Sequence, residues 1–87
     1  MSVWYKAYSL DGVYCLNLFN EPFKTCDSPE EVKDALEHWA VKFNYVGYTF
    51  AICKQTYDKH YDEQGNFTKM VNVLEVVEHY TIGGKYV

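Results

Sequence analysis

Four residues near the middle of the chain, Ser28-Pro29-Glu30-Glu31, restrict the fold more than any other stretch. They supply a helix N-cap, a proline at the first helical position and the glutamate of a capping box, so a helix begins there. Val32, Ala35, Leu36, Trp39, Ala40 and Phe43 recur at the i, i+3, i+4, i+7 spacing of a single apolar stripe, while Glu30, Lys33, Asp34, Glu37 and His38 fall away from it. The helix is predicted to end near Asn44, with Gly47 closing the turn. A helix with one greasy stripe needs one apolar surface to lie on, and the flanking segments read as strands that provide it.

On the N-terminal side, Asp11-Gly12 sits between runs of β-forming residues, the strongest short-range hairpin signal. Pairing Leu10 with Val13 sets Tyr8 against Cys15, Lys6 against Asn17 and Trp4 against Phe19 on one side of the ribbon. The other side pairs Ser9 with Tyr14, Ala7 with Leu16 and Tyr5 with Leu18. This uncharged second side is the predicted core face, on which the helix stripe packs. After the helix, Tyr48, Phe50 and Ile52 alternate with Thr49, Ala51 and Cys53, as in a strand. Gly65-Asn66 marks a second, longer hairpin whose polar outer end is expected to project. Residues 70–80 fit a helical stripe through Met70, Val73, Leu74, Val77 and Tyr80, but their valines and the preceding turn favour strand, and strand is the reading adopted. Gly83-Gly84 then predicts a tight turn and a short return strand over 85–87. The expected fold is one α+β domain over residues 1–87: a two-layer sandwich in the order ββαββ, with an optional short fifth strand and the helix on one face of an antiparallel sheet.

Composition narrows the function. The chain has 87 residues, 48% of them hydrophobic, so a packed core is expected rather than disorder. No stretch reaches the roughly 20 apolar residues of a membrane span, and MSVWYKAYSL lacks the basic start and apolar run of a signal peptide, which predicts a cytoplasmic protein. Asn66-Phe67-Thr68 matches the glycosylation pattern by chance on that reading. Cys15, Cys26 and Cys53 are odd in number and widely spaced, and are expected to be reduced and mostly buried. All eight cations are Lys and the net charge is −4, which argues against direct nucleic-acid binding and against attraction to an anionic membrane. Aromatic residues make up 18%, nine of them Tyr, a composition suited to protein interfaces.

Catalytic chemistry finds little support. Asp58, His60, Asp62 and Glu63 loosely follow a calcium loop, but Glu63 stands where the loop needs Gly, and Lys69 where it needs a bidentate Glu. No signature places a Cys beside His38, His60 or His79. No phosphate loop or metalloprotease motif occurs, and no cofactor or metal is expected. The prediction is a protein without enzymatic activity.

Two surfaces remain as binding candidates. Glu30, Asp34 and Glu37, at i, i+4, i+7, line one side of the helix with carboxylates roughly 5 to 6 Å apart, a ladder that a basic groove on a partner would accept or that is simply a solvated face. Trp4, Lys6, Tyr8 and Phe19, with Tyr57 and Tyr61 of the second hairpin, form the sheet side away from the helix, read as a protein-docking surface. Base stacking by these rings is disfavoured by the acidic charge. The leading expectation is a small acidic module that inhibits or modulates a larger protein by occupying its surface. By analogy of type this is the manner of phage or mobile-element accessory proteins that block a host nuclease or polymerase. The alternative is a small-molecule binder or a homodimeric scaffold.

Overall fold

A computed structural model describes residues 3–11, 14–16, 18 and 25–87 of the chain. The elements run β1 (Trp4–Tyr8), α1 (Pro29–Phe43), β2 (Thr49–Tyr61) and β3 (Phe67–Thr81), and form an antiparallel three-stranded sheet in the order β1-β2-β3. The α+β class and the single covering helix are as the sequence predicts. The order is β-α-β-β among the described residues, not ββαββ, and both missing strands have identifiable physical causes.

The first expected hairpin keeps its register but not its length. Tyr8 bridges Cys15, the Ser9 N–H donates to the Tyr14 carbonyl (2.8 Å) and the Leu16 N–H to the Ala7 carbonyl (2.9 Å). At Tyr5, however, both backbone bonds are exchanged with Cys26 (2.9 and 3.3 Å), so Leu18 is not its partner. The residue leading into the helix cap has taken the edge position that a second strand would need. The other edge of β1 pairs with β2, with Trp4 opposite Gln55, Lys6 opposite Cys53 and Tyr8 opposite Ala51.

The helix forms as its caps dictate. The Ser28 hydroxyl accepts from the Glu31 N–H at 3.2 Å, and the Glu31 carboxylate reaches back to the Asp27 N–H at 2.9 Å. Asn44 closes the helix in the left-handed region (φ 58°), its N–H bonded to the Ala40 carbonyl. One face buries Val32, Leu36 and Ala40 against Ala7, Cys26, Ile52 and Ile82. Tyr5, Leu16 and Leu18, predicted for this face, pack against that cluster. Fully burying a Leu36 or Ile52 contributes about 1.5–3 kcal/mol each. Trp39 stacks on Tyr45 (4.8 Å between centroids) and meets Phe50 edge-on (5.6 Å), closing the end of the core.

Residues 70–80 are strand, within β3. Because β1 covers β2 only from Ala51 to Gln55, the hairpin continues alone as a two-stranded arm, and the molecule measures 56 × 24 × 19 Å. The arm turns through Asp62, whose carboxylate accepts from the N–H groups of Gln64 (2.9 Å) and Asn66 (2.8 Å), with Gly65 at φ 83°. Register shifts between Ile52/Cys53 and between His60/Tyr61 leave Val77 and Thr68 as bulged residues of β3. Among the described residues no helix is long and apolar enough to cross a membrane.

Candidate functional site

Directly opposed residues of an antiparallel pair share a side of the sheet, so the register assigns every side chain to one of two surfaces. The side away from the helix carries Trp4, Lys6 and Tyr8 of β1, then Gln55, Tyr57, Lys59 and Tyr61 of β2. The same side of β3 contributes Phe67, Met70, Asn72, Leu74 and Val76. The predicted grouping of Trp4, Lys6, Tyr8, Tyr57 and Tyr61 is therefore a physical surface. Phe19, the remaining ring predicted for it, lies outside the described residues.

This surface has two parts. Over the body, Trp4, Tyr8 and Tyr57 are half-buried rather than bare, and beneath them Ala51, Cys53 and Gln55 are buried. The Trp4 ring meets Tyr57 edge-on at 5.5 Å, and the Gln55 amide donates to the Tyr57 hydroxyl at 2.8 Å. Burial, with the Cys15 and Cys53 thiols beside it, pushes the Tyr8 hydroxyl up to about 12. Burial likewise raises the Cys53 thiol. These rings are a lid over small residues of the central strand. Among the described residues no second layer covers the arm, and Tyr61, Phe67, Met70 and Leu74 are exposed at 58, 55, 50 and 40%. Tyr61 and Phe67 meet edge-on at 6.0 Å, forming an aromatic pair near the tip. The tip itself is polar, as predicted, but the shaft behind it is apolar. Sequence reading missed Met70, Leu74 and Val76. Their period-2 spacing carried the signal, but it was masked by an equally good helical stripe.

The carboxylate ladder dissolves in three dimensions. Glu30 is exposed, but Glu37, expected on the solvated side, is buried at 2% exposure. Its carboxylate accepts the Tyr80 hydroxyl and the backbone N–H groups of Gly83 (3.0 Å), Gly84 (2.9 Å) and Lys85 (2.9 Å). Three successive N–H groups converging on one anion make a backbone nest, and Gly84 at φ 83° supplies the left-handed residue such a nest needs. The Lys85 N–H is committed to Glu37 and the Val87 N–H to the Gly84 carbonyl (3.2 Å), so residues 85–87 form a turn on the nest and not the predicted fifth strand. Burial raises the Glu37 carboxyl, but Tyr80 and the three N–H groups more than compensate and hold it at about 2. The same hydrogen bond, helped by burial, pushes Tyr80 up to about 12. Asp34 is also engaged: it accepts the Tyr86 hydroxyl and lies 3.6 Å from the Lys85 ammonium and 3.5 Å from His38, whose ring stacks on Tyr86. The Tyr86 hydrogen bond is the main cause that lowers its carboxyl. Two of the three ladder positions thus hold the C-terminal tail on the helix.

Between the helix and the segment carrying Leu18 and Cys26 lies a groove of about 570 Å³, with Leu18, Cys26 and Ala35 on its apolar side and Glu30, Glu31 and Asp34 at its rim. Among the described residues no group of three His, Cys, Asp or Glu side chains is placed to hold a metal ion. The Asp62 carboxylate, part of the superficial calcium pattern, is occupied by the turn's own N–H groups. Cys26 and Cys53 are buried as expected, whereas Cys15 is exposed. Comparison with protein-family models, with curated proteins and with solved structures finds no match.

Proposed function

We propose that the protein is a binding module without enzymatic activity, which docks the side of its sheet away from the helix, and above all the shaft of the β2–β3 arm, onto a larger protein. The reading rests on one observation: Tyr61, Phe67, Met70 and Leu74 lie exposed on a single side of a ribbon that projects from the core. Apolar side chains contiguous on a projecting element are the usual mark of a contact surface. A net charge of −4 without Arg favours a partner with a basic surface, including proteins that themselves handle nucleic acid, such as a host nuclease or polymerase that an accessory protein of a phage or mobile element would block. The helix carboxylates have a smaller part in this mode than sequence suggested: Glu30 and Asp34 are exposed, but Asp34 is engaged by Tyr86 and Lys85, and Glu37 is buried.

The test compares capture of partner proteins from cells of the source organism by the wild type, by Y61S/M70S and by E30Q. The module binds as proposed if a protein retained by the wild type and by E30Q is lost with Y61S/M70S while circular dichroism is unchanged. Retention by all three removes the arm from the interface. A second reading, a binder of small cationic molecules, is favoured only by the acid-rimmed groove beside Leu18 and Ala35.

A further inference from the structure

We propose that the outer edge of β3 pairs with the same edge of a second copy, antiparallel and with Asn72 on the two-fold axis, so that two three-stranded sheets join into one of six strands. The proposal concerns an edge rather than a side of the sheet, and stands independently of the docking reading above.

Among the described residues β3 has a neighbour on one side only, although it is 15 residues long. Edge strands of monomeric proteins are kept short, or studded with charge, because their unpaired N–H and C=O groups are a template for another strand. Residues 67 to 77 do the opposite: over about 36 Å they hold Phe67, Met70, Val71, Leu74, Val76 and Val77, all exposed, and only two charges, Lys69 and Glu75.

Those two charges select the register. A two-fold axis normal to the sheet opposes residue 72 + n of one copy to residue 72 − n of the other, and keeps both on the same side. With the axis at Asn72, Lys69 faces Glu75 of the second copy, and the reciprocal pair repeats on the other side of the axis. Met70 then faces Leu74, and Val71 faces Val73. Within its own chain Glu75 is opposite Lys54, so the second copy's Lys69 completes an alternating row, while Lys69 is opposite His60. Moving the axis to Val73 sets Glu75 against Val71, moving it to Val71 sets Glu75 against Phe67, and an axis on Glu75 opposes it to itself. An axis between two residues would oppose side chains from different sides of the sheet, which a regular ladder does not permit. Only the Asn72 axis satisfies both charges and matches the apolar residues. The ridge is narrow, which places the dimer at the weak end of specific interfaces, with dissociation in the micromolar range.

Sedimentation equilibrium over a concentration series tests this. The wild type is expected to double its mass with concentration. K69E or E75K alone should weaken dimerisation about tenfold, since two attractive cross-strand pairs become two repulsive ones. An equimolar mixture of K69E and E75K should regain wild-type association, because the heterodimer restores both pairs. Independently, N72C in a C15S background should cross-link to itself under mild oxidation, since Cα atoms opposed across a ladder lie within disulfide reach, whereas V71C alone should not. A wild type that stays monomeric at millimolar concentration overturns the proposal. So does a dimer indifferent to these charges, or one in which V71C cross-links and N72C does not.

Discussion

Replacing Glu37 by Gln tests whether the C-terminal tail is held by charge. In the folded chain the carboxyl sits at about 2 instead of its ordinary 4.5, and that drop corresponds to about 3 kcal/mol of folding free energy at neutral pH. Solvent reaching the tail reduces this to about 2 kcal/mol. An isosteric amide offers one acceptor where the carboxylate offers two, and sets an NH₂ against backbone N–H groups that have no other protein acceptor in the nest. Glu37→Gln is therefore expected to cost about 2–3 kcal/mol at pH 7, seen in urea unfolding followed by the fluorescence of Trp4 and Trp39, and to lower Tm by about 10 °C or more. Because the folded carboxyl titrates below the unfolded one, its contribution is complete above about pH 4.5 and is lost as pH falls through about 2. The gap between wild type and variant should accordingly close to within about 1 kcal/mol near pH 2. A variant within 1 kcal/mol of wild type at pH 7, or a gap that stays constant in acid, would refute the reasoning.

Two further outcomes follow from local structure. Tyr8→Ser removes the half-buried ring beside Cys53 and is expected to cost about 1–3 kcal/mol, less than the loss of a fully buried aromatic residue, while speeding the labelling of Cys53 by a thiol reagent severalfold; unchanged labelling would show that the ring shields nothing. Ser28→Ala removes the acceptor for the Glu31 N–H and should lower stability by about 1 kcal/mol, measured by the same urea titration, and no loss would mean that the cap is replaced by water.

Much of the fold was legible because its causes are local. The helix start at Ser28, its end at Asn44, the turn before Phe67 and the core side of the first strand each depend on residues within a few positions of one another. What escaped depends on distance along the chain. Glu37 looks like a surface glutamate because hydropathy records only its own polarity, and the donors that bury it are backbone groups 46 to 48 residues further on. The expected second strand failed for a similar reason: Cys26 competes for Tyr5 from far beyond the hairpin, on the edge of β1 opposite β2. The aromatic surface was legible as a grouping, since alternation along each strand fixes it. Its division into a covered part and a bare part was not, because nothing in the sequence states where β1 stops covering β2.

The bulge at Val77 gives β3 one residue more than its partner within the body, opposite the stretch of β2 that β1 still covers. Strand alternation makes most single-residue deletions ruinous, since everything downstream changes sides. Here the extra residue already absorbs such a change: Val76 faces away from the helix while Glu78, only two positions on, faces it and pairs with Lys33 at 2.9 Å. An insertion or deletion at this one position would alter the local twist while leaving the register on either side intact, so the bulge is where the length of this chain can vary without turning its apolar shaft inside out.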